Sequence, residues 1–255
     1  MATLNKKFAV LIDECAKENK LIKTKPKLNP VYDGLLGDEK DWKKQETRIM
    51  WVLKNPYDDF TKKCGKPRST GDGWSLKDII DESYNDPDEK KSPFHGESSR
   101  TWRPILYISY AIIDNVKLPF DEFELSEYKT KDLDYLRKLA VINVGKMPGN
   151  KQTAPSELYD NYSIWKNVLL SQIEKCNPNI IIFGGTFELF KRDKCFSQKF
   201  IIESEPDYRT QLANFRADFY KDKNKNVIII DTYHPSVLFK DRINDILYGL
   251  KELKK

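Results

Sequence analysis

The sequence predicts an α/β protein, a three-layer α/β/α arrangement around a central four-stranded parallel sheet. Four runs, RIMWVL (48–53), LAVINV (139–144), NIIIFGG (179–185) and NVIIIDTY (226–233), are almost continuous in apolar and β-branched residues. Strands have this composition when helices cover both faces of a parallel sheet. Between the runs, apolar residues recur at helical spacing. Strand–helix alternation of this kind predicts a doubly wound sheet.

The elements follow in order. The first strand ends in Lys54-Asn55-Pro56, a turn signal. Trp102, Ile105, Leu106, Ser109 and Ile113 then share one helical face. The second strand carries Asn143 in an apolar setting and runs into Lys146-Met147-Pro148-Gly149-Asn150. Leu158, Tyr162, Trp165, Leu169 and Ile173 form the next helical stripe, which Asn177-Pro178 ends because proline pushes its predecessor out of the helical region. The third strand stops at Gly184-Gly185, and the polar KDKNK (221–225) turns into the fourth. A last helix over 241–255 aligns Ile243, Ile246, Leu247 and Leu250. Residues 1–255 read as a single domain. Residues 1–45 read as an N-terminal helical extension without functional signal. About 61–93 and 194–225 read as insertions, too long and polar for simple connections, and the second also lacks a functional signal.

Composition narrows the classes. With 39% hydrophobic and 33% charged residues, the 13 Phe, 13 Tyr and 5 Trp still supply a core, which argues against disorder. A net charge of +5 permits nucleic-acid binding without demanding it. The four cysteines include no C-x-x-C pair, so neither a structural zinc nor another metal is expected. No signal peptide or membrane-spanning run is read, and the expectation is a cytoplasmic, nucleoid-associated protein that engages no membrane.

Ligands of doubly wound sheets bind at the carboxyl ends of the strands. There Tyr233-His234-Pro235-Ser236 places one of only two histidines after a buried strand. It reads either as a structural histidine or as an imidazole that stabilises negative charge. Asn55-Pro56 reads as a turn or as an amide that holds a water. Asn143 reads as backbone-paired or as a reader of an amide-like edge, since its side chain both donates and accepts. Phe94, in Ser92-Pro93-Phe94-His95-Gly96, reads as core or as a platform for a base.

Taken in order, NPY (55–57), SPFHGESSR (92–100), NVGKMPGN (143–150), IIFGG (181–185) and YHPSVLF (233–239) resemble the uracil-DNA glycosylase superfamily over about residues 46–250, and its family-four branch in layout. The resemblance implies a monofunctional DNA glycosylase that extrudes a base from DNA and hydrolyses its N-glycosidic bond. It places Asn55 as the water-positioning residue and His234 as the donor to the base carbonyl. Asn143, Phe94, Tyr57 and Pro56 would bind the base. Ser236, Pro235, Lys146 and Lys240, with Arg242 as a further candidate, would contact DNA, and Leu238 would be the wedge that fills the duplex. No cofactor is expected. The partner is double- or single-stranded DNA, and the protein is expected to act as a monomer.

The pattern also departs from the family. Leu53-Lys54 precede Asn55 where the family's first turn usually has a leading glycine and an acid, and Asn55 replaces the more active aspartate, as in the mismatch-specific and single-strand-selective branches. Asp58 stands where the classical branch has histidine. The cysteines lack the close pair of an iron–sulfur cluster. These departures keep a modified pyrimidine beside uracil as substrate. They also keep a catalytically weak or inactive recognition module, for example in phage defence, beside the enzyme. An unrelated nucleotide-binding fold is disfavoured by the lack of a G-x-G-x-x-G or G-x-x-x-x-G-K-[ST] loop.

Overall fold

The structure, a computed structural model, describes residues 2–24, 27–56, 73–85, 99–116, 130–148, 153–200, 203, 205–210, 215–222 and 224–253. Thr3 caps α1 (Leu4–Glu18), and its hydroxyl accepts from Lys6 N at 3.4 Å. Leu4, Phe8, Ile12 and Ala16 recur every fourth residue and form the buried face of α1. A hairpin of β1 (Lys23–Thr24) and β2 (Lys27–Leu28) follows, then β3 (Val31–Tyr32), β4 (Gly34–Leu35) and α2 (Glu39–Lys44).

The body of the chain alternates as the sequence predicts. It runs β5 (Ile49–Leu53), β6 (Trp74–Ser75), α3 (Leu76–Asn85), α4 (Ser99–Ile113), α5 (Thr130–Arg137), β7 (Leu139–Asn143), α6 (Pro155–Cys176) and β8 (Ile180–Gly184). Then come α7 (Phe187–Lys191), α8 (Lys194–Lys199), β9 (Tyr208–Arg209), β10 (Asp218–Lys221), β11 (Ile228–Thr232), a 3-10 turn over Pro235–Val237, and α9 (Lys240–Leu253). Helix α6 stops at Asn177, which takes a left-handed φ of 47° before Pro178.

The central sheet is mostly parallel and has seven strands, in the order β4-β7-β5-β8-β11-β10-β9. The four expected strands form its parallel heart. The expectation of a four-stranded sheet is corrected at the edges, where β4 adds antiparallel to β7, and β10 and then β9 add antiparallel beyond β11. These edge strands span only two to four residues. They are too short for alternation to register, and their pairing is decided by tertiary contact. The N-terminal segment is therefore more than a helical extension, because β4 lies in the main sheet.

Alternate residues of β5 enter opposite cores. Ile49, Trp51 and Leu53 pack with Ile80, Ile108, Leu136 and Ile246. Met50 and Val52 pack with Phe8, Trp165, Phe183 and Phe190. Helices thus cover both faces, and this explains why β5, β7 and β8 are buried at every position. From β5 the chain crosses to β7 on one side, and β8 then returns on the other. That reversal makes the carboxyl ends of β5 and β8 the topological switch point, where sheets of this kind place their ligands. Among the described residues, no helix is long and apolar enough to cross a membrane.

Candidate active site

Strand register brings the carboxyl ends level. Leu53 pairs with Asn143, and Thr232 with Gly184. The turns that leave β5 and β7 are stitched together by Val144 N donating to Leu53 O at 2.8 Å and Gly145 N donating to Lys54 O at 3.0 Å. Asn55 follows directly and is half-buried. Its Oδ1 accepts from Asn161 Nδ2 of α6 at 3.3 Å. A Cβ on Gly145 would lie 2.4 Å from Asn55 Oδ1, so only glycine lets that amide sit there. Pro56 is buried behind it.

His234 leaves β11 two residues beyond its end, and Pro235 starts the 3-10 turn after it. Its Nδ1 accepts from Ser236 N at 3.3 Å and lies 2.9 Å from Ser236 Oγ. A ring nitrogen that accepts from a backbone N–H carries no proton, which leaves Nε2–H as the donor of a neutral imidazole. Burial, with the Lys54 ammonium as second cause, pulls the imidazole down to about 4. His234 is thus a neutral donor across the physiological range. It stands two strands from Asn55, on β11 against β5 with β8 between them. At the usual spacing the two strands lie roughly 10 Å apart, axis to axis. The intervening strand ends in Gly184-Gly185, over which other side chains close: a Cβ on Gly184 would lie 3.0 Å from Pro235 Cδ and 3.1 Å from Leu53 Cδ2.

Asn143 and Lys146 meet in a network that the sequence did not suggest. Asp33, between β3 and β4, accepts at Oδ2 from Asn143 N (2.7 Å) and Asn143 Nδ2 (3.2 Å). Lys146 Nζ donates to its Oδ1 at 2.7 Å and Oδ2 at 2.9 Å, and to Gln172 Oε1 at 2.9 Å. Gln172 Nε2 returns to Asp33 Oδ1 at 2.9 Å and Asp33 O at 3.1 Å. Lys146 is 0% exposed. Burial pulls its ammonium below the ordinary lysine range, and the Asp33 carboxylate opposes that shift. The expected DNA contact by Lys146 is therefore corrected, because its charge is spent inside the protein. Asn143 is buried with its amide held by Asp33, an arrangement that fixes its orientation.

The loop after His234 also differs from expectation. Leu238, expected as the wedge, is 5% exposed and belongs to the core under α4 and α9. Its neighbours Val237 (39% exposed) and Phe239 (65% exposed) face outward instead. The Arg242 guanidinium lies 5.1 Å from the Phe239 ring and 5.4 Å from the Phe215 ring, and donates to Val237 O at 2.6 Å. Phe215 in turn packs 5.7 Å from Tyr233. Phe215, itself buried beneath Arg242, comes from the stretch 194–225, where the sequence showed no functional signal. Pro235 is buried, which corrects its expected role in DNA contact, whereas Ser236 and Lys240 are exposed. Ser236 first of all orients His234. Tyr57, Phe94 and His95 lie outside the described residues.

Further along β11 toward its start, Asp231 pairs in register with Asp218, which Arg209 and Arg216 hold in ion pairs. Burial first, and Asp218 second, push the Asp231 carboxyl up to about 7. A groove lined by Asn177, Pro178, Phe200, Lys225 and Val227 lies at the opposite, amino-terminal edge of the sheet, away from these residues. Among the described residues, no group of three or more His, Cys, Asp or Glu is placed to hold a metal ion. No protein-family model matches the chain, and no curated protein matches it either.

Proposed function

We propose that the chain is a monofunctional DNA glycosylase of the uracil-DNA glycosylase type, hydrolysing the N-glycosidic bond of an extruded uracil or modified pyrimidine. The observation that carries this reading is His234, a neutral imidazole whose Nδ1 is held by Ser236 so that Nε2–H donates. It stands two strands from Asn55 at the switch point of the sheet, across the Gly184-Gly185 turn. In the reaction the C1′–N1 bond breaks with its electron pair passing to the base. His234 Nε2–H donates to the base carbonyl as negative charge develops there. Asn55 orients a water that adds to C1′ and gives its proton to solvent, and the released base takes a proton from solvent. Asn143, fixed by Asp33, reads the base edge.

Phe239 takes the part of the wedge, since an inserting side chain must be apolar and outward-facing. Arg242 braces it from one side. Ser236 and Lys240 stand beside it for phosphate contact. The protein would act inside the cell, as a monomer on DNA.

The test is abasic-site formation on oligonucleotides bearing uracil, mismatched or modified bases, in single and double strands. His234→Ala should abolish most base release and leave DNA affinity nearly unchanged. Undiminished release in that variant would overturn the assignment. One observation favours a second reading, a recognition module that binds without cutting. Asn55 Oδ1 already accepts from Asn161, and an amide is a poor general base. DNA binding without release of any base on the panel would favour the module.

A further inference from the structure

We propose that Lys54 is the cation of this site, and that its ammonium contacts the departing base as that base becomes an anion. The inference rests on the glycosylase reading above and extends it to a residue that the resemblance leaves without a role. Lys54 directly follows β5, at the switch point. Gly185 lies beside it with a φ of 72°, a conformation that favours glycine. A Cβ on Gly185 would lie 3.3 Å from Lys54 Cε, 3.8 Å from Lys54 Nζ and 3.6 Å from the His234 backbone nitrogen. The end of the lysine side chain therefore lies over Gly185, beside the backbone at His234 and between the strands that lead to Asn55 and to the imidazole.

Lys54 is half-buried, and among the described residues no carboxylate pairs with it. The other buried lysine of this region, Lys146, is fully matched by Asp33 and Gln172. A half-buried lysine with no carboxylate partner among the described residues is matched when an anion arrives. The reaction makes one there, because the electron pair of the C1′–N1 bond leaves on the base. His234 is held neutral, partly by Lys54 itself, and so offers a hydrogen bond without a full charge. Lys54 supplies the charge. It transfers no proton, and its effect grows as the bond lengthens.

A DNA phosphate is the other anion that could meet this lysine, and the two sources separate experimentally. Single-turnover base release would be measured for wild type, Lys54→Met, Lys54→Gln and Lys54→Arg on duplexes carrying uracil and 5-halogenated uracils of graded N1 acidity. The neutral variants should lose about 10²–10³-fold on uracil, the scale of one lost oxyanion donor, and less on the better leaving groups. Lys54→Arg should retain most of the rate. DNA affinity and its salt dependence should stay within about threefold of wild type. Equal losses across the leaving groups, with a salt slope reduced by about one, would assign the lysine to a phosphate and overturn the proposal. Neutral variants that keep pace with wild type would overturn it as well, leaving the glycosylase reading standing. Wild-type protein that releases no base overturns that reading and this proposal together. In the free protein, the imidazole NMR midpoint of His234 should rise in Lys54→Met, and an unchanged midpoint would overturn the placement of the ammonium beside it.

Discussion

Removing Asp33 is the sharpest test of how the site is held. Asp33→Ala deletes the carboxylate that faces Lys146 Nζ at 2.7 Å, and it strands a fully buried ammonium with only Gln172 Oε1 at 2.9 Å. Breaking one partner of a buried ion pair costs about 3–5 kcal/mol, because the remaining charge is left uncompensated. For a domain of this size each kcal/mol moves Tm by about 2–4 °C, so the expected fall is roughly 6–20 °C. Lys146→Met should cost less. The carboxylate would still accept from Asn143 N at 2.7 Å, Asn143 Nδ2 at 3.2 Å and Gln172 Nε2 at 2.9 Å. The double variant should recover part of the Asp33→Ala loss, since it no longer buries a lone charge, with a coupling of about 1–3 kcal/mol. Urea unfolding of the four proteins at pH 7 measures the cycle. An Asp33→Ala cost below about 1 kcal/mol, or losses that add without coupling, would refute the reasoning.

Four further outcomes follow from the same geometry. Phe239→Ala should leave stability within about 0.5 kcal/mol, because its ring is 65% exposed, yet reduce base release from duplex far more than from single strands. Leu238→Ala should instead cost about 2–5 kcal/mol of stability, since that side chain is 5% exposed, and the reverse pattern would restore Leu238 as the wedge. Asp231→Asn should stabilise at pH 8 and do little at pH 4. The folded carboxyl titrates at about 7, above its unfolded value, so its ionisation opposes folding progressively as pH rises through that window, and melts at the two pH values check the sign. Asn55→Asp should raise single-turnover release about tenfold or more, because a carboxylate that still accepts from Asn161 can also take a proton from water. Loss of activity in a correctly folded variant would show that the amide's donor group is required.

The parallel heart of the sheet was legible because its physics is local. A strand covered on both faces must be apolar at nearly every position, and β5, β7 and β8 are. Positions at strand ends were legible for the same reason, and Asn55 and His234 fell where a doubly wound sheet places its ligands. What remained hidden depends on partners far away in sequence. Lys146 after a strand has the same sequence appearance whether it faces phosphate or an aspartate 113 residues earlier. Asp33 lies between strands of two residues each, where no periodicity can register. Val237, Leu238 and Phe239 are all apolar, so composition could not say which of them turns inward. The 3-10 turn over Pro235–Val237 sets that phase and sends Leu238 to the core. One signal was present and went unused, the aromatic Phe215 in a polar stretch, which now braces Tyr233 and Arg242.

The N-terminal segment bears on function through the sheet edge it builds. β4 pairs with β7, and Asp33 just before it fixes both Asn143 and Lys146. Asn143 ends β7, whose turn is stitched to that of β5 through Val144 N–Leu53 O and Gly145 N–Lys54 O. Asp33 is thus joined by a short run of hydrogen bonds to the backbone that carries Lys54 and Asn55. A site that acts by holding dipoles and charge in place must not relax as charge develops. Hydrogen bonds buried in low dielectric supply that stiffness. Residues ahead of the first long strand therefore belong to the supporting structure of these strand ends, and a truncation that removed Asp33 would disturb the Asn143 amide before it touched either Asn55 or His234.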